Sequence, residues 1–303
     1  MRGDSRQAGY RLLGRGFDYL LLLRPAAWPI LTLHFLTGST VAVGVSGLSS
    51  RRSELIAGTL AFVIGLSGGT LALNSAFDRD RGDIAYLDRP PAPPRGLAGF
   101  GLALMLAALA VATRLPTWFF LASALSFLLS VLYSVPPIRL KGVAGLDWLV
   151  NFLGFGFLMP YAGWALTGQP LTAVGGSVLF GFAALFGALY PLTQLYQLAE
   201  DRTRGDRTLA VALGATSTFG LALSMSAVAF LAMALGGFQA DWGDDAGVRW
   251  VVLLGAALGW AAVLLPWWIR ASGLGPAGHQ RYMKRAFLAW VVIDLAVLTA
   301  FGR

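Results

Sequence analysis

Long apolar stretches recur along the chain from residue 25 to residue 301, and short segments with charges, glycine or proline separate them. A helix needs roughly 20 mainly apolar residues to cross a membrane. By that criterion, nine segments are candidate spans. They cover residues 25–46, 54–74, 97–113, 117–134, 146–166, 172–192, 209–236, 248–269 and 286–301. The sequence therefore predicts an all-α, polytopic membrane protein with nine transmembrane helices.

The composition excludes several classes of protein. Of the 303 residues, 56% are hydrophobic and 13% are charged, whereas a soluble domain contains about 25% charged residues. The chain has no cysteine and two histidines, which excludes disulfides, thiolate nucleophiles, cysteine metal sites and histidine-rich metal centres. In such an apolar chain, the net charge of +8 indicates topology signals and anionic lipid or substrate rather than nucleic acid.

Basic residues alternate between the two sides of the predicted bundle. All but five of the 23 Lys and Arg residues fall in the N-terminal segment or in the loops after spans two, four, six and eight; the exceptions are Arg51, Arg52, Arg114, Arg249 and Arg303. Cytoplasmic loops are the ones rich in Lys and Arg. We therefore expect a cytoplasmic N-terminus in a prokaryotic inner membrane. Residues 1–24 are expected to form a cytoplasmic or interfacial segment of a single domain that covers residues 1–303.

Seven of the 15 carboxylates lie in two clusters, one after span two and one after span six. In each cluster an amide residue precedes an aspartate by four positions, Asn74 with Asp78 and Gln197 with Asp201. Residues at i and i+4 share a helix face, so each pair presents oxygen atoms in one direction. Two such faces meeting would suit Mg²⁺, which binds through a few carboxylates and substrate phosphates. The alternative is a pair of solvated loops of mixed charge that only obey the topology rule.

A third polar segment follows span four and runs from Tyr133 to Lys141. Pro136 and Pro137 end the span, because proline clashes with the preceding helical turn. Arg139 and Lys141 then lie at the membrane depth of the two acidic clusters. We expect these two cations to contact a diphosphate, and the alternative is an ordinary positively charged turn.

Taken in order, these segments resemble the UbiA superfamily of intramembrane prenyltransferases. The family's opening Arg-Pro and tryptophan segment is similar to Arg24-Pro25 and Trp28. Its N-D-x-x-D-x-x-x-D signature resembles Asn74-Ser75-Ala-Phe-Asp78 followed by Asp83, with Arg89-Pro90 downstream. Its Y-x-x-x-P-x-R-x-K segment resembles residues 133–141, and its second signature resembles Gln197-x-x-x-Asp201 with Gly205 and residues 208–211.

The resemblance implies a nine-helix bundle around a lipid-open cavity that the two aspartate motifs cap. It also implies Mg²⁺, a polyprenyl diphosphate donor and a hydrophobic, often aromatic acceptor. Three positions depart from the family pattern. Ser75 and Gln197 stand where the family has aspartates, and Gly82 occupies the expected place of Asp83. Fewer carboxylates at the family's positions predict weaker Mg²⁺ binding or an altered binding geometry.

On this basis we assign an expected role to the polar residues of these segments. The expected Mg²⁺ ligands, direct or through water, are Asn74, Asp78, Asp83, Gln197 and Asp201, with Asp80 and Asp206 as second choices. The residues expected at the diphosphate are Arg79, Tyr133, Arg139, Lys141, Asn151 and Arg207. The expected catalytic set is Asn74, Asp78, Arg139, Lys141 and Asp201, which together stabilise the departing diphosphate. For Asn151, a hydrogen bond between helices is an equal alternative.

Three functions remain open at this point. The first is prenyl transfer to a separate acceptor. The second is a membrane terpene cyclase, which ionises the same diphosphate without an acceptor. The third is a transporter, suggested by the repeated amide–aspartate spacing. Carriers place their polar residues near the middle of the membrane, whereas these clusters lie at one face, so the transporter is disfavoured.

Overall fold

A computed structural model describes residues 3–78 and 82–302, and within these ranges the chain is helical with no strand beyond two isolated bridges. The first seven α-helices are α1 Gly3–Leu13, α2 Phe17–Leu22, α3 Trp28–Leu48, α4 Arg52–Thr59, α5 Gly69–Asp78, α6 Leu97–Ala112 and α7 Thr117–Ser134. The remaining seven are α8 Leu146–Asn151, α9 Met159–Leu166, α10 Ala173–Thr193, α11 Leu198–Arg204, α12 Leu209–Gln239, α13 Ala246–Arg270 and α14 Pro276–Phe301. Two π-helical segments, Leu60–Gly68 and Phe152–Leu158, join α4 to α5 and α8 to α9.

Six helices in the described part of the chain are long and apolar enough to cross a membrane. They are Pro25–Asp78, Thr117–Ser134, Leu146–Leu166, Ala173–Thr193, Leu209–Gln239 and Gly243–Gly273. The first is continuous over 54 residues and contains two of the predicted spans. Leu97–Ala112 is apolar but shorter, and α14 is not among the six. The polytopic, all-helical class is thus confirmed, whereas the number nine is not.

Packing divides the chain into two compact units. The first contains the residues up to Thr32 together with Ser53–Arg139, and the second contains Leu33–Arg52 together with the residues from Leu140 onward. Each unit is described by itself below.

In the first unit, α5 packs closely against α6 through a pair of glycines. A Cβ atom added at Gly69 would lie 2.8 Å from the carbonyl oxygen of Gly101, and one added at Gly101 would lie 2.9 Å from that of Gly69. Small residues let two helix backbones approach in this way. The neighbouring core contains Leu22, Leu97 and Ala72. This packing fixes α5, whose last residue is Asp78.

In the second unit, α10 is largely enclosed, with almost every residue from Val178 to Leu192 buried. Its start is capped by Thr172, whose hydroxyl accepts a hydrogen bond from the Gly175 backbone N–H over 3.0 Å, as is typical of threonine at this position. The α3 helix approaches α9 so closely that a Cβ at Gly38 or Gly163 would collide with a backbone carbonyl.

Candidate functional site

The first acidic cluster lies at the end of α5, in the first unit. Asp78 ends the helix and Asn74 lies one turn earlier on the same helix. The Asp78 carboxylate accepts a hydrogen bond from Arg139 Nη2 over 2.9 Å, and its side chain is 2% exposed against 22% for Arg139. The structure therefore brings together Asp78, an expected Mg²⁺ ligand, and Arg139, an expected diphosphate-binding cation.

Ser75 departs from the family pattern, and its contact explains how the structure accommodates it. The buried Ser75 hydroxyl accepts a hydrogen bond from Arg24 Nη2 over 3.2 Å. Arg24 is also buried, and its Nη1 donates to the carbonyl oxygen of Ala85 over 3.4 Å. The serine thus gives Arg24 a neutral partner, and Arg24 ties the start of the chain to the loop after α5.

The loop after α5 is held by local and long-range hydrogen bonds. Asp83 Oδ1 accepts from the Arg89 backbone N–H over 2.7 Å, and the Arg89 carbonyl accepts from Arg6 Nη2 over 2.9 Å. Asp83 is half-buried and is engaged within its own loop. Burial raises the pKa of Tyr86 far above its usual range, although Arg24 acts in the opposite direction. Arg79 and Asp80 lie outside the described residues.

Tyr133 lies near the end of α7 and is buried in the first unit. One turn earlier, Ser130 Oγ lies 2.7 Å from Thr70 Oγ1 of α5 and donates to the Ser126 carbonyl. Thr70 in turn lies one turn before Asn74 on α5. The α5 helix therefore carries a polar series that leads from Thr70 through Asn74 to Asp78.

The second acidic cluster is built on the short helix α11, in the second unit. The Asp201 backbone N–H donates to the Gln197 carbonyl over 2.9 Å, so these two residues are one helical turn apart, as their spacing predicts. Asp201 is buried. The structure adds a residue to which the sequence assigned no role, Arg204.

Arg204 contacts three carboxylates at once. It donates to Asp201 Oδ1 from Nη2 and to Asp206 Oδ2 from Nε over 3.1 Å, and its Nη1 lies 3.7 Å from Glu200 Oε1. The spacings i, i+3 and i, i+4 on a helix predict such pairs. The spacings alone do not single out Arg204, because Arg202 and Arg207 are as close to the carboxylates in sequence.

Lys141 is held near this cluster by a backbone bridge. The Arg207 N–H donates to the Gly142 carbonyl over 3.1 Å, and Val143 pairs with Arg207 in a parallel bridge. Burial raises the pKa of the Asp201 carboxyl, while the charges of Lys141 and Arg204 act to lower it. The Arg207 side chain is exposed. The structure thus brings Lys141 to Asp201 and turns Arg207 to the surface.

Asp147 joins three elements of the second unit. Its fully buried carboxylate accepts from the Gly145 N–H over 2.9 Å, from Gln194 Nε2 over 2.7 Å and from the Leu209 N–H over 2.8 Å. These bonds connect the starts of α8 and α12 to the end of α10. Asn151 Nδ2 donates to the Asp147 carbonyl over 2.9 Å, so this bond lies within its own helix rather than between helices.

The two amide side chains of the acidic clusters differ from the neighbouring carboxylates in their hydrogen bonding. Among the described residues, the side chains of Asn74 and Gln197 have no hydrogen-bond partner, and both are half-buried. Across residues 3–78 and 82–302, no three His, Cys, Asp or Glu side chains are grouped so that they could hold a metal ion. Carboxylate and amide oxygens are nevertheless the ligands that Mg²⁺ prefers, with water and substrate phosphate completing its shell.

Comparison with known proteins gives a consistent result. A family model described as the UbiA prenyltransferase family matches residues 27–276. The digeranylgeranylglyceryl phosphate synthase of Natronomonas pharaonis is 30% identical over 86% of this chain and 91% of its own length. The lycopene elongase/hydratase of Halobacterium salinarum is 31% identical over 66% and 72%, respectively. The structure of a UbiA homolog from Archaeoglobus fulgidus bound to GPP and Mg²⁺ has a TM-score of 0.69 at 20% identity, covering 93% of this chain and 99% of that one.

Proposed function

Because the chain belongs to the UbiA prenyltransferase family, an integral membrane family, we propose that it transfers a polyprenyl group from its diphosphate to a hydrophobic acceptor. The relatives support both substrates. The Archaeoglobus fulgidus homologue was solved with GPP and, separately, with DMAPP, each with Mg²⁺. The names of the curated relatives describe lipid products, a digeranylgeranylglyceryl phosphate and an elongated lycopene.

One observation carries the proposal. In both acidic motifs a buried aspartate is held by an arginine. One helical turn before it lies a half-buried amide whose side chain has no partner among residues 3–78 and 82–302. Neither amide is among the buried side-chain groups that lack a partner in the described part of the chain, so solvent or a ligand can reach both of them. The unused amide oxygens of Asn74 and Gln197 are therefore ligands available to a group that the protein binds.

Mg²⁺ fits this donor set. In the first motif Asn74 and Asp78 would hold Mg²⁺ directly or through water, with Asp83 in support. In the second motif Gln197 and Asp201 would do the same. When bound, Mg²⁺ neutralises diphosphate charge as a Lewis acid and makes the diphosphate a better leaving group. Each motif offers one carboxylate and one amide oxygen, and Mg²⁺ usually binds through a few such protein ligands together with water and substrate phosphates.

The chain's own cations would bind the rest of the diphosphate charge. Arg139 presents a planar guanidinium suited to two phosphate oxygens, and Lys141 supplies a point charge. Arg79 and Arg207 would add further charge, and Tyr133 and Asn151 would donate hydrogen bonds. Burying a diphosphate without such partners is prohibitive. We also propose that the N-terminus and both motif loops face the cytoplasm, which the distribution of Lys and Arg supports.

Departure of the diphosphate leaves an allylic cation that must be shielded from water. Aromatic faces attract cations by roughly 0.5–2 kcal/mol. The second unit contains a group of rings in contact, in which Phe186 lies 5.7 Å from Phe155, 6.4 Å from Tyr190 and 5.6 Å from Trp290 between ring centroids. Apolar, aromatic surroundings of this kind exclude water and favour transfer to the acceptor over hydrolysis.

The test is turnover by the purified protein in liposomes. We expect Mg²⁺-dependent release of diphosphate from geranylgeranyl diphosphate, and a prenylated product by mass spectrometry when an acceptor lipid is added. A cyclised product without any acceptor would favour the terpene cyclase instead. No diphosphate release under any combination of prenyl diphosphates and acceptors would overturn the proposal.

A further inference from the structure

The turn between α13 and α14 carries a group of four cations, which we call the α13–α14 basic cluster. It consists of Arg270 at the end of α13 and Arg281, Lys284 and Arg285 in the first part of α14, and all four are exposed. No Asp or Glu occurs between residues 246 and 293. Among the described residues, Arg270, Arg281 and Arg285 form no ion pair with a carboxylate.

A single buried tyrosine organises two of these cations. Tyr282 OH accepts a hydrogen bond from Arg270 Nη1 over 2.9 Å, and the Arg285 guanidinium lies 5.2 Å from the centroid of the Tyr282 ring. Tyr282 is 8% exposed and stacks on the fully buried Trp267, with ring centroids 5.8 Å apart. Trp267 is itself fixed by a hydrogen bond from its Nε1 to His279 Nδ1 over 3.0 Å.

This arrangement holds Arg270 and Arg285 at one tyrosine, and among the described residues no carboxylate pairs with either of them. Two guanidinium groups on one tyrosine repel each other, and the repulsion is stronger near a low-dielectric surface than in bulk water. Because the rigid Trp267–Tyr282 stack restrains both side chains, they cannot separate as freely as surface arginines do. An anion that contacts both would relieve the repulsion, and guanidinium groups bind phosphate oxygens in a bidentate manner.

The surface that continues from the cluster is apolar. On the exposed face of α14, Arg281 and Arg285 are followed at helical spacing by Leu288, Val292 and Leu295, which are 66%, 52% and 50% exposed. On α13, Ile269 is 75% exposed beside Arg270. The surface is therefore cationic at one end and apolar along the helix, which matches a molecule with a phosphate headgroup and hydrocarbon chains.

We propose that the α13–α14 basic cluster binds an anionic phospholipid of the surrounding bilayer, with its phosphate between Arg270 and the α14 cations and its chains along Leu288 and Val292. The chain is an integral membrane protein, so such lipids surround this face. Each Lys or Arg near an anionic membrane surface contributes about 1 kcal/mol of attraction. The proposal does not depend on the prenyl transfer proposed above, because none of these residues belongs to the acidic motifs.

The test is native mass spectrometry of the full-length protein titrated with phosphatidylglycerol or with phosphatidylcholine. The triple variant R281Q/K284Q/R285Q removes three charges of the cluster. The control R51Q/R52Q/R114Q makes the same change of charge at residues remote from it in sequence. We expect phosphatidylglycerol retention to fall at least about tenfold in the first variant, to change less than about twofold in the control, and phosphatidylcholine retention to change in neither.

Two further variants separate a built site from general surface charge. R281K/R285K keeps the charge and the fold but loses bidentate geometry, so it should retain phosphatidylglycerol more weakly than the wild type and better than the glutamine variant. Y282F removes the hydroxyl that holds Arg270 and should weaken retention without any change of charge. Equal loss in both triple variants, or displacement of phosphatidylglycerol by inorganic phosphate or geranyl diphosphate at equal concentration, would overturn the proposal.

Discussion

Arg139 and Asp78 form an ion pair over 2.9 Å although 61 residues separate them in the sequence. The contact joins the end of α5 to the segment after α7, within the first unit. Removing one partner leaves the other charge in a site of low exposure, which is destabilising. The Asp78 side chain is 2% exposed and that of Arg139 is 22% exposed. The loss of Arg139 should therefore be the more costly of the two for stability.

Replacement of Asp78 by Asn should abolish turnover while the protein stays folded. The amide retains the shape of the side chain but loses the charge that would bind Mg²⁺, so we expect diphosphate release to fall by about 100-fold or more. The measurement is coupled release of diphosphate in liposomes. Asp88→Asn is the matched control, because Asp88 is an exposed carboxylate in the same loop region, and its activity should stay within about twofold of wild type.

Asn74→Ala and Gln197→Ala should leave stability almost unchanged, since neither amide has a side-chain partner in the described part of the chain. Their Mg²⁺ requirement should rise, with the half-saturating concentration increasing by about tenfold, because a neutral oxygen ligand is removed from a water-rich shell. Mg²⁺ titrations of turnover and thermal unfolding in detergent measure the two effects. Gln197→Asp should preserve turnover. A large fall in unfolding temperature with an unchanged Mg²⁺ requirement would show that these amides are structural.

The sequence predicted the helices better than it predicted their contacts. Apolar stretches at 117–134 and 146–166 coincide with Thr117–Ser134 and Leu146–Leu166, because hydropathy and proline mark helix ends directly. It did not predict the two π-helical segments or the kinks at Gly44 and Gly214, where φ is 72° and 74°. Glycine is common in membrane helices, so its presence alone does not reveal which one adopts a positive φ.

The candidate site was predictable in its residue types and spacings, but not in its partners. The i, i+4 spacing identified Asp201 and Gln197, and the backbone hydrogen bond between them confirms that they lie one turn apart. The role of Arg204 depends on which of several nearby arginines folds back over the carboxylates. Asp147 binds Gln194 and Leu209, which are 47 and 62 residues away, and no local pattern encodes such a contact. The assignment of single ligands to Mg²⁺ stays a prediction.

Arg204→Gln should destabilise the second unit, and Asp206→Asn should not abolish turnover. Arg204 bridges the carboxylates of Asp201 and Asp206, so its loss removes the cation that holds these two negative charges together. Because the Arg204 side chain is 19% exposed, we expect a cost of about 1–3 kcal/mol.

Asp206→Asn retains a hydrogen-bond acceptor for Arg204, so turnover should fall by only a few fold. Thermal unfolding and diphosphate release test the two expectations. Loss of activity in Asp206→Asn equal to that in Asp201→Asn would give Asp206 the same role as Asp201.

Asp147→Ala should reduce the stability of the protein strongly. The substitution leaves three donors without their acceptor, the Gly145 and Leu209 N–H groups and the Gln194 amide. Each unsatisfied buried group costs about 1–3 kcal/mol. We expect low folded yield and a large fall in unfolding temperature. Asn151→Ala is the control, because it removes one bond within a helix and should cost about 1 kcal/mol. Equal stability of the two variants would contradict the joining role of Asp147.

His34 and Asp294 form a buried pair in the second unit, and a double-mutant cycle should show strong coupling between them. His34 Nδ1 lies 2.9 Å from Asp294 Oδ1, and the side chains are 4% and 0% exposed. The second polar atoms, His34 Nε2 and Asp294 Oδ2, are buried and have no partner among the described residues. Only one polar atom of each side chain is therefore hydrogen-bonded. The buried atoms without a partner limit how much the pair stabilises the fold.

Replacing one member by Leu isolates the other in an apolar site and should cost about 3–5 kcal/mol. Replacing both, in His34→Leu/Asp294→Leu, removes every polar atom of the pair and should cost less than either single change. Thermal unfolding of the four proteins in one detergent gives the coupling free energy, which we expect to exceed about 3 kcal/mol, since the double change should cost less than either single one. Additive losses would mean that the 2.9 Å contact contributes nothing beyond packing, and the edge-to-face contact of His34 with Phe182, at 4.7 Å between centroids, would then account for the effect of the histidine alone.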